Sequence, residues 1–355
     1  MNLKGRMVHY DLMRVIACLF VIMIHSAVCD QMSLYENNTL AFQASNIWGV
    51  LARWAVPAFV MLSGMMFLRD DKETNLKDLY KRKVLIMFTA YIFWSAIYSC
   101  YNVFVLGKLS SGTALKSLFD GCFSGELHMW YILMAAGLYI ASPIIKVLLH
   151  KLSKKLLIYW VVAMLVFGSI IPMITTLKFP PIIEGILDTF NRNMDLQFFC
   201  GWTLYFVLGY LIQNHNFTSK ERKIIYTLAI ISFVFTMFFT VGYSVLKSKS
   251  LGVLPYEYPN IVFMSVGILL FFKETVSKIK FGDKAKKVIV TLSSLTFGIY
   301  LSHVLILKVL YTAGINLSIC NPIISIPVIS IIIFVLGGCL SWLLLKIPLI
   351  NKYIA

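Results

Sequence analysis

Long apolar stretches alternate with short polar turns along the whole chain. A helix needs roughly 20 apolar residues to cross a bilayer, and most of these stretches reach that length. The pattern therefore predicts ten membrane-spanning helices. Their expected spans are 8–28, 47–68, 84–106, 127–149, 156–176, 198–213, 224–246, 259–272, 288–311 and 323–346. The spans 198–213 and 259–272 are short, so we expect these two helices to be tilted, broken or longer than the apolar pattern indicates.

The composition agrees with a bilayer as the surrounding solvent. Of the 355 residues, 59% are hydrophobic and only 14% are charged, whereas soluble domains have about 45–50% apolar and about 25% charged residues. The expected fold class is an all-α polytopic membrane protein. We expect a single membrane domain over residues 1–355 and no separate soluble domain. Because the chain stays apolar after the first span, that span is expected to be retained rather than cleaved as a signal peptide.

The basic residues set the expected orientation. The formal net charge is +16, but the positive charges occur in short clusters between the spans, which is typical of topology signals and not of nucleic-acid binding. The termini and the even-numbered turns hold 24 of the 32 Lys and Arg residues. By the positive-inside rule, both termini are expected in the cytoplasm.

The seven cysteines have neither a CxxC pair nor a repeated spacing. We therefore predict no disulfide framework and no metal site.

Ionisable residues within the first span are the strongest candidates for chemistry, because a charge inside a bilayer is costly. Arg14 and His25 are eleven residues apart, which places both on one helix face, separated by about 16 Å along the axis. Asp11 precedes Arg14 by three residues, close enough to pair with it. The alternatives are contact with lipid headgroups for Arg14 and a packing role for His25.

Four sequence blocks, in order, resemble the acyltransferase family 3 membrane proteins. The Arg-x(10)-His spacing from Arg14 to His25 is similar to the signature of that family. The later blocks are residues 56–64 (VPAFVMLSG), residues 128–143 with HMWY and YIASP at their ends, and residues 297–303 (FGIYLSH). The similarity is greatest to the branch of surface-polysaccharide O-acetyltransferases that includes the enterobacterial common antigen O-acetyltransferase. It covers the whole chain and implies a core of ten helices.

The resemblance implies a reaction and roles for the first span. An acetyl or other short acyl group would pass from cytoplasmic acyl-CoA to a hydroxyl of a cell-surface polysaccharide or its lipid-linked precursor, in the bacterial inner (plasma) membrane. Acetyl-CoA or another acyl-CoA would be the donor substrate, with no permanently bound cofactor. His25 is expected to be the general base or a transient acyl carrier. Arg14 suits the anionic coenzyme or the thioester carbonyl, and Asp11 would hold Arg14 in place.

Arg82 and Lys83 are the expected contacts for the phosphates of the coenzyme. The family often has Arg-x-x-Arg at the start of the third helix, followed by a Pro. In this chain the second basic position falls at Ile86 and the Pro position at Ala90. Lysine lacks the bidentate fork of arginine, so the basic cluster could instead set the topology at the lipid headgroups.

Candidates for binding the acceptor lie in the later blocks, and each has a packing alternative. The tryptophan among them is equally compatible with an interfacial aromatic belt. Ser63 and Gly64 are expected to form a close helix contact and not a nucleophile site. The candidate acceptor-binding residues are Glu126, His128, Trp130, Tyr300 and His303.

A second function class remains open at this stage. A ten-span protein with buried histidine, arginine and aspartate could be a transporter or flippase that uses an intramembrane His/Arg/Asp relay. Some transporters contain internal repeats, and the two halves of this chain show no convincing similarity.

Overall fold

The structure is a computed structural model of the chain. It describes residues 6–28, 40–69, 74–109, 112–176, 200–242 and 254–353, together with the single residues 185, 186, 189 and 193. All regular secondary structure within these residues is helical. The predicted all-α polytopic membrane fold is confirmed.

The helices account for most of the described residues. They are α1 Val8–Val28, α2 Leu40–Ala52, α3 Ala55–Phe67, α4 Leu76–Val105, α5 Ala114–Ser124, α6 Trp130–Lys151, α7 Lys154–Thr175, α8 Trp202–Asn214, α9 Ser219–Gly242, α10 Pro259–Glu274, α11 Asp283–Thr312, α12 Pro322–Leu344 and α13 Pro348–Tyr353.

Nine segments within the described ranges are long and apolar enough to cross a bilayer. They correspond to nine of the ten predicted spans. The tenth, 198–213, corresponds to α8, whose 13 residues extend about 20 Å at 1.5 Å per residue. That length is less than the roughly 30 Å of a hydrocarbon core. Residues 198, 199 and 243–246 of the predicted spans lie outside the described residues.

Two local features were not predicted. The second span begins at Leu40 and is interrupted after Ala52, so it consists of two helices, α2 and α3. The eleven-residue α5 precedes the fourth span and is too short to cross a membrane. Its N-terminus is capped by Thr113, whose side chain accepts a hydrogen bond from the Lys116 amide, as expected for a threonine at this position.

Helix α1 occupies the centre of the bundle. It packs against α2, α3, α11 and α12, and eleven of its 21 residues are buried. By contrast, α7 and α9 bury few of their residues. Apolar side chains on such helices face lipid at little cost, so the polar residues that need explanation are those on the central helices.

Helices α3 and α8 approach each other closely through two glycines. A Cβ atom on Gly64 would lie 1.8 Å from the carbonyl oxygen of Phe206, and one on Gly209 would lie 2.0 Å from that of Met61. Small residues permit such backbone contact between membrane helices. The predicted helix contact at Gly64 is therefore confirmed.

Candidate active site

Asp11 lies near the N-terminus of α1 and binds two arginines. Its carboxylate is buried and accepts hydrogen bonds from Arg6 Nε at 2.7 Å, Arg14 Nη1 at 3.0 Å and Ser293 Oγ of α11 at 2.7 Å. The hydrogen bond that Arg6 donates to Asp11 raises the pKa of Arg6, which precedes the helix. A buried carboxylate needs such partners. The geometry accordingly fixes the position of the Arg14 guanidinium.

Three histidines from three different helical segments meet near the C-terminus of α1. The ring centroids of His25 and His303 are 4.9 Å apart, those of His128 and His303 are 4.9 Å apart, and those of His25 and His128 are 5.8 Å apart. His128 and His303 are buried, whereas His25 is only partly buried. We refer to these three residues as the histidine cluster.

Hydrogen bonds fix the orientation of the histidine cluster. The Nδ1 atom of His303 lies 2.5 Å from the carbonyl oxygen of Tyr300. Because a carbonyl only accepts, Nδ1 must carry a proton, and Nε2 of the neutral ring is then an acceptor. No hydrogen-bond partner within the described residues reaches this buried Nε2 atom. The Tyr300 hydroxyl donates to the carbonyl oxygen of His128 at 2.6 Å, so Tyr300 connects His128 with His303.

One cavity of about 370 Å³ connects the arginine end of α1 with the histidine cluster. Arg14 and His25 both line it, so the predicted common helix face is confirmed. Within the described residues, its charged lining side chains are Arg6, Arg14 and Lys83, and no Asp or Glu lines it. The cavity therefore favours an anionic group at one end and presents imidazole at the other. We refer to it as the central cavity.

A second, basic cavity of about 520 Å³ adjoins the arginine end. It shares the lining residues Arg6, Arg14, Leu62 and Met66 with the central cavity, and Arg69 also lines it. We refer to it as the vestibule. Its charged lining residues are Arg6, Arg14, Arg69 and Asp11, so the vestibule has a net positive charge.

The structure separates the two predicted phosphate contacts. Lys83 lines the central cavity, whereas Arg82 does not. Arg82 is 78% exposed and pairs with Asp78 one turn earlier, with Nε and Oδ1 3.2 Å apart. Adjacent helix residues differ by about 100° in direction, which explains why only one of the pair faces the cavity.

Glu126 also lies outside the lining of the central cavity. Its carboxylate binds Lys308 Nζ at 2.8 Å and Asn102 Nδ2 at 3.3 Å. Lys308 in turn donates to Asn102 Oδ1 at 3.0 Å. The three side chains form a closed polar network that joins α4, α11 and the segment before α6, so Glu126 is engaged in a helix contact.

Trp130 and Tyr300 line the central cavity, as does His128. His303 is fully buried behind them. Trp130 lines the central cavity, as an acceptor-binding residue would, and 39% of its surface is exposed. The predicted acceptor candidates other than Glu126 thus lie together around His25.

Several residues at the site were missed from the sequence. Arg6 belongs to the basic N-terminal residues that favour the cytoplasm, and its separation of five residues from Asp11 is not a helical pairing interval, so the sequence does not predict this ion pair. Tyr131 and Tyr139 line the central cavity one above the other on α6, and the Tyr139 hydroxyl lies 3.1 Å from Ser63 Oγ. Nothing in the sequence separates these tyrosines from the many other aromatic residues of the spans.

No group of three or more His, Cys, Asp or Glu side chains within the described ranges could hold a metal ion.

Comparisons with known proteins agree with this geometry. The family model described as an acyltransferase domain, of acyltransferase family 3, matches residues 8–346. The chain is 20% identical over 354 residues to YfiQ of Bacillus subtilis (strain 168), which its name describes as a candidate membrane-bound acyltransferase; the alignment covers 96% of this chain and 91% of that protein. No solved structure matches the chain. The chain belongs to acyltransferase family 3, and it is a multi-pass membrane protein of that family.

Proposed function

We propose that this chain is an integral membrane O-acyltransferase. It moves an acetyl or other short acyl group from cytoplasmic acyl-CoA to a hydroxyl of a cell-surface polysaccharide or its lipid-linked precursor, in a bacterial plasma membrane. The observation that carries the proposal is the central cavity, which joins a basic end at Arg14 to the histidine cluster at His25. Membership of the acyltransferase family supports the reaction class.

The charge distribution supports the orientation. Arg6, Arg69 and Lys83 lie at the basic end of the two cavities and belong to the basic clusters that favour the cytoplasm. The coenzyme would enter through the vestibule. His25 would then lie in the half of the membrane nearer the cell surface, where a surface glycan can reach it.

His25 is the proposed general base. An imidazole takes a proton from a poorly nucleophilic hydroxyl at neutral pH. The acceptor oxygen attacks the thioester carbonyl carbon, the carbon–sulfur bond breaks, and the departing thiolate takes the proton from His25. The products are the acyl ester and free coenzyme A, so atoms and charge balance. The acceptor nitrogen of His303 can receive a hydrogen bond from the charged imidazole during the reaction.

The length of α1 restricts the role of Arg14. About 16 Å separates Arg14 from His25 along the helix axis, whereas a hydrogen bond to an oxyanion requires about 3 Å. The ion pair with Asp11 also holds the Arg14 guanidinium at the far end of this separation from His25, so we assign Arg14 no contact with the thioester carbonyl that reacts at His25. Its role is to bind the phosphate-bearing part of the donor, together with Arg6 and Lys83, while the pantetheine arm extends through the central cavity.

The first experiment is an assay of thiol release by the purified protein in nanodiscs. Acetyl-CoA is supplied with and without a glycan extract from the host. We expect glycan-dependent release by the wild type and its loss in His25→Ala. A matched control is His215→Ala, because His215 is exposed and pairs with Glu221 away from the cavity.

Two results would contradict the proposal. Full glycan-dependent activity in a folded His25→Ala protein would exclude His25 as the base. No release by the wild type with acetyl-CoA or succinyl-CoA, combined with no thermal stabilisation by either donor, would contradict acyl transfer and favour transport.

A further inference from the structure

Three aromatic rings form a cluster beside the histidine cluster. They belong to Trp130 at the start of α6, Trp202 at the start of α8 and Tyr256 in the segment before α10. Ring centroids are 5.3 Å apart for Trp130 and Trp202, 5.5 Å for Trp202 and Tyr256, and 6.2 Å for Trp130 and Tyr256. We refer to these rings as the aromatic wall.

The aromatic wall stands between two cavities. Trp130 and Tyr256 line the central cavity, whereas Trp202 lines a separate cavity of about 800 Å³ next to α6 and α7. Trp130 keeps 39% of its surface exposed, although its ring faces the cavity. A ring that served only to fill the core would be buried on all sides, so the open face of Trp130 is available to a ligand.

The Tyr256 ring of the wall is held in position by contacts from Arg53 and Tyr205. The Arg53 guanidinium lies 3.7 Å from the centroid of the Tyr256 ring, and Arg53 Nε donates to the Leu254 carbonyl at 2.8 Å. The Tyr205 hydroxyl donates to the carbonyl oxygen of Tyr256 at 2.5 Å. Because the Tyr256 ring is already ordered, a ligand that stacks on it does not lose binding free energy to the ordering of this side chain.

The turn before α8 places Trp202. Gly201 has φ 68° and ψ −131°, a conformation that residues with a Cβ atom rarely adopt. The chain can therefore turn sharply into α8 at this point. As a result, the first residue of the helix carries its ring against Trp130.

The charges around the wall restrict the class of ligand. Three aromatic rings can form a cage for a quaternary ammonium group. Here the Arg53 cation already lies against Tyr256, and within the described residues no carboxylate lines the central cavity. Glu257 lines the separate cavity on the Trp202 side of the wall. A second cation would be repelled. The wall instead suits a neutral or anionic ring with apolar C–H groups on one face and polar groups at its edge.

We propose that Trp130 and Tyr256, with Trp202 packed behind Trp130, form an acceptor subsite that stacks one sugar ring in the central cavity, which His25 also lines. The C–H face of a pyranose carries slight positive charge and fits the negative face of an aromatic ring. Trp130, His128 and His25 all line the central cavity, and the His128 ring is 5.8 Å from that of His25. A sugar held on the wall therefore presents its hydroxyls towards the proposed base. This inference rests on the proposed function and names the substrate class of the same site.

The test removes the Trp202 ring, which packs against Trp130 from outside the central cavity. Its loss should release the Trp130 ring from its position without changing the residues that line the cavity. The probe is a set of oligosaccharides released from the host surface polysaccharide by mild acid. In Trp202→Ala we expect the KM for the oligosaccharide to rise about tenfold, which corresponds to about 1.4 kcal/mol of binding free energy. The KM for acetyl-CoA should stay at the wild-type value, and Trp202→Phe should restore part of the oligosaccharide affinity. Trp342→Ala is the matched control, since Trp342 is 51% exposed and stacks with Lys346 on the outer surface.

Direct binding separates this inference from the proposed function. Oligosaccharide binding to the full-length protein in nanodiscs is titrated without acetyl-CoA, and the folded state is checked by thermal unfolding. Weaker binding to Trp202→Ala and Tyr256→Leu than to the wild type supports the subsite, even if no acyl transfer occurs. Wild-type affinity in both folded variants, or no binding to the wild type, would overturn it.

Discussion

The imidazole rings of His25 and His303 lie 4.9 Å apart, although the two residues come from the first and the eleventh helices. His303 is oriented by the Tyr300 carbonyl, and its free acceptor nitrogen is buried. A histidine in this arrangement can stabilise a charged neighbour, as the orienting residue does in hydrolase triads.

The first prediction concerns this pair of histidines. Asn at position 303 can still donate to the Tyr300 carbonyl but has no equivalent of Nε2. We expect His303→Asn to lower glycan-dependent thiol release by about 10- to 100-fold. Residues that act as a unit are non-additive, so His25→Ala with His303→Asn should be no slower than His25→Ala alone. Multiplicative losses in the double variant would show that His303 acts separately.

The second prediction compares the adjacent residues Arg82 and Lys83. Lys83 lines the central cavity, and Arg82 is exposed and paired with Asp78. We expect Lys83→Gln to raise the KM for acetyl-CoA about tenfold, since one charged hydrogen bond contributes about 1.5–3 kcal/mol. Arg82→Gln should leave this KM within about twofold of the wild type, as is usual for surface changes. Steady-state kinetics with varied acetyl-CoA measure the KM of both variants. A larger increase in Arg82→Gln than in Lys83→Gln would contradict the placement of Lys83 at the donor.

The third prediction concerns Asp11, which binds Arg6, Arg14 and Ser293. Asp11→Asn removes the negative charge between two arginines that remain partly exposed. We expect a loss of about 1–3 kcal/mol in the free energy of unfolding and a higher KM for acetyl-CoA, because Arg14 loses its anchor. Asp78→Asn, on an exposed pair, should cost about 0.5 kcal/mol or less. Thermal unfolding in detergent measures both variants, and equal stabilities would contradict the central role of Asp11.

The fourth prediction tests the contact between α3 and α8. In Gly64→Ala the new Cβ would lie 1.8 Å from a backbone oxygen of Phe206, so the two helices must separate. We expect destabilisation of about 2 kcal/mol or more. Gly137→Ala is the matched change within α6, where a Cβ meets nothing within 4 Å, and it should be neutral or stabilising by up to about 1 kcal/mol. A free energy of unfolding equal to that of the wild type in Gly64→Ala would contradict the close backbone contact between α3 and α8.

The part of the site that lies on one helix could be predicted from the sequence. Helical geometry alone places Arg14 and His25 on one face and Asp11 beside Arg14, and the structure has both arrangements. The ten apolar stretches likewise predict the fold class. The apolar pattern also marks 198–213 as a short span, and α8 is correspondingly short, whereas its contact with α3 through Gly64 and Gly209 is visible only in the structure.

The part of the site that depends on tertiary packing could not be predicted. Nothing in the spacing of His128 and His303 shows that both rings meet His25. The aromatic wall is a further example, because Trp202 and Tyr256 lie in separate elements among many other aromatic residues. Glu126 was a reasonable acceptor candidate by position, and only the structure reveals its network with Lys308 and Asn102.

The separation of Arg14 and His25 on the rigid α1 has a further consequence for the choice of donor. Under the proposed function, this helix is a molecular ruler that compares the length of the pantetheine arm with a fixed distance of about 16 Å. A thioester attached to a shorter carrier could reach the imidazole or the arginine, but not both at once. Selection would then operate on the carrier, and the small acyl group could vary without loss of the two end contacts.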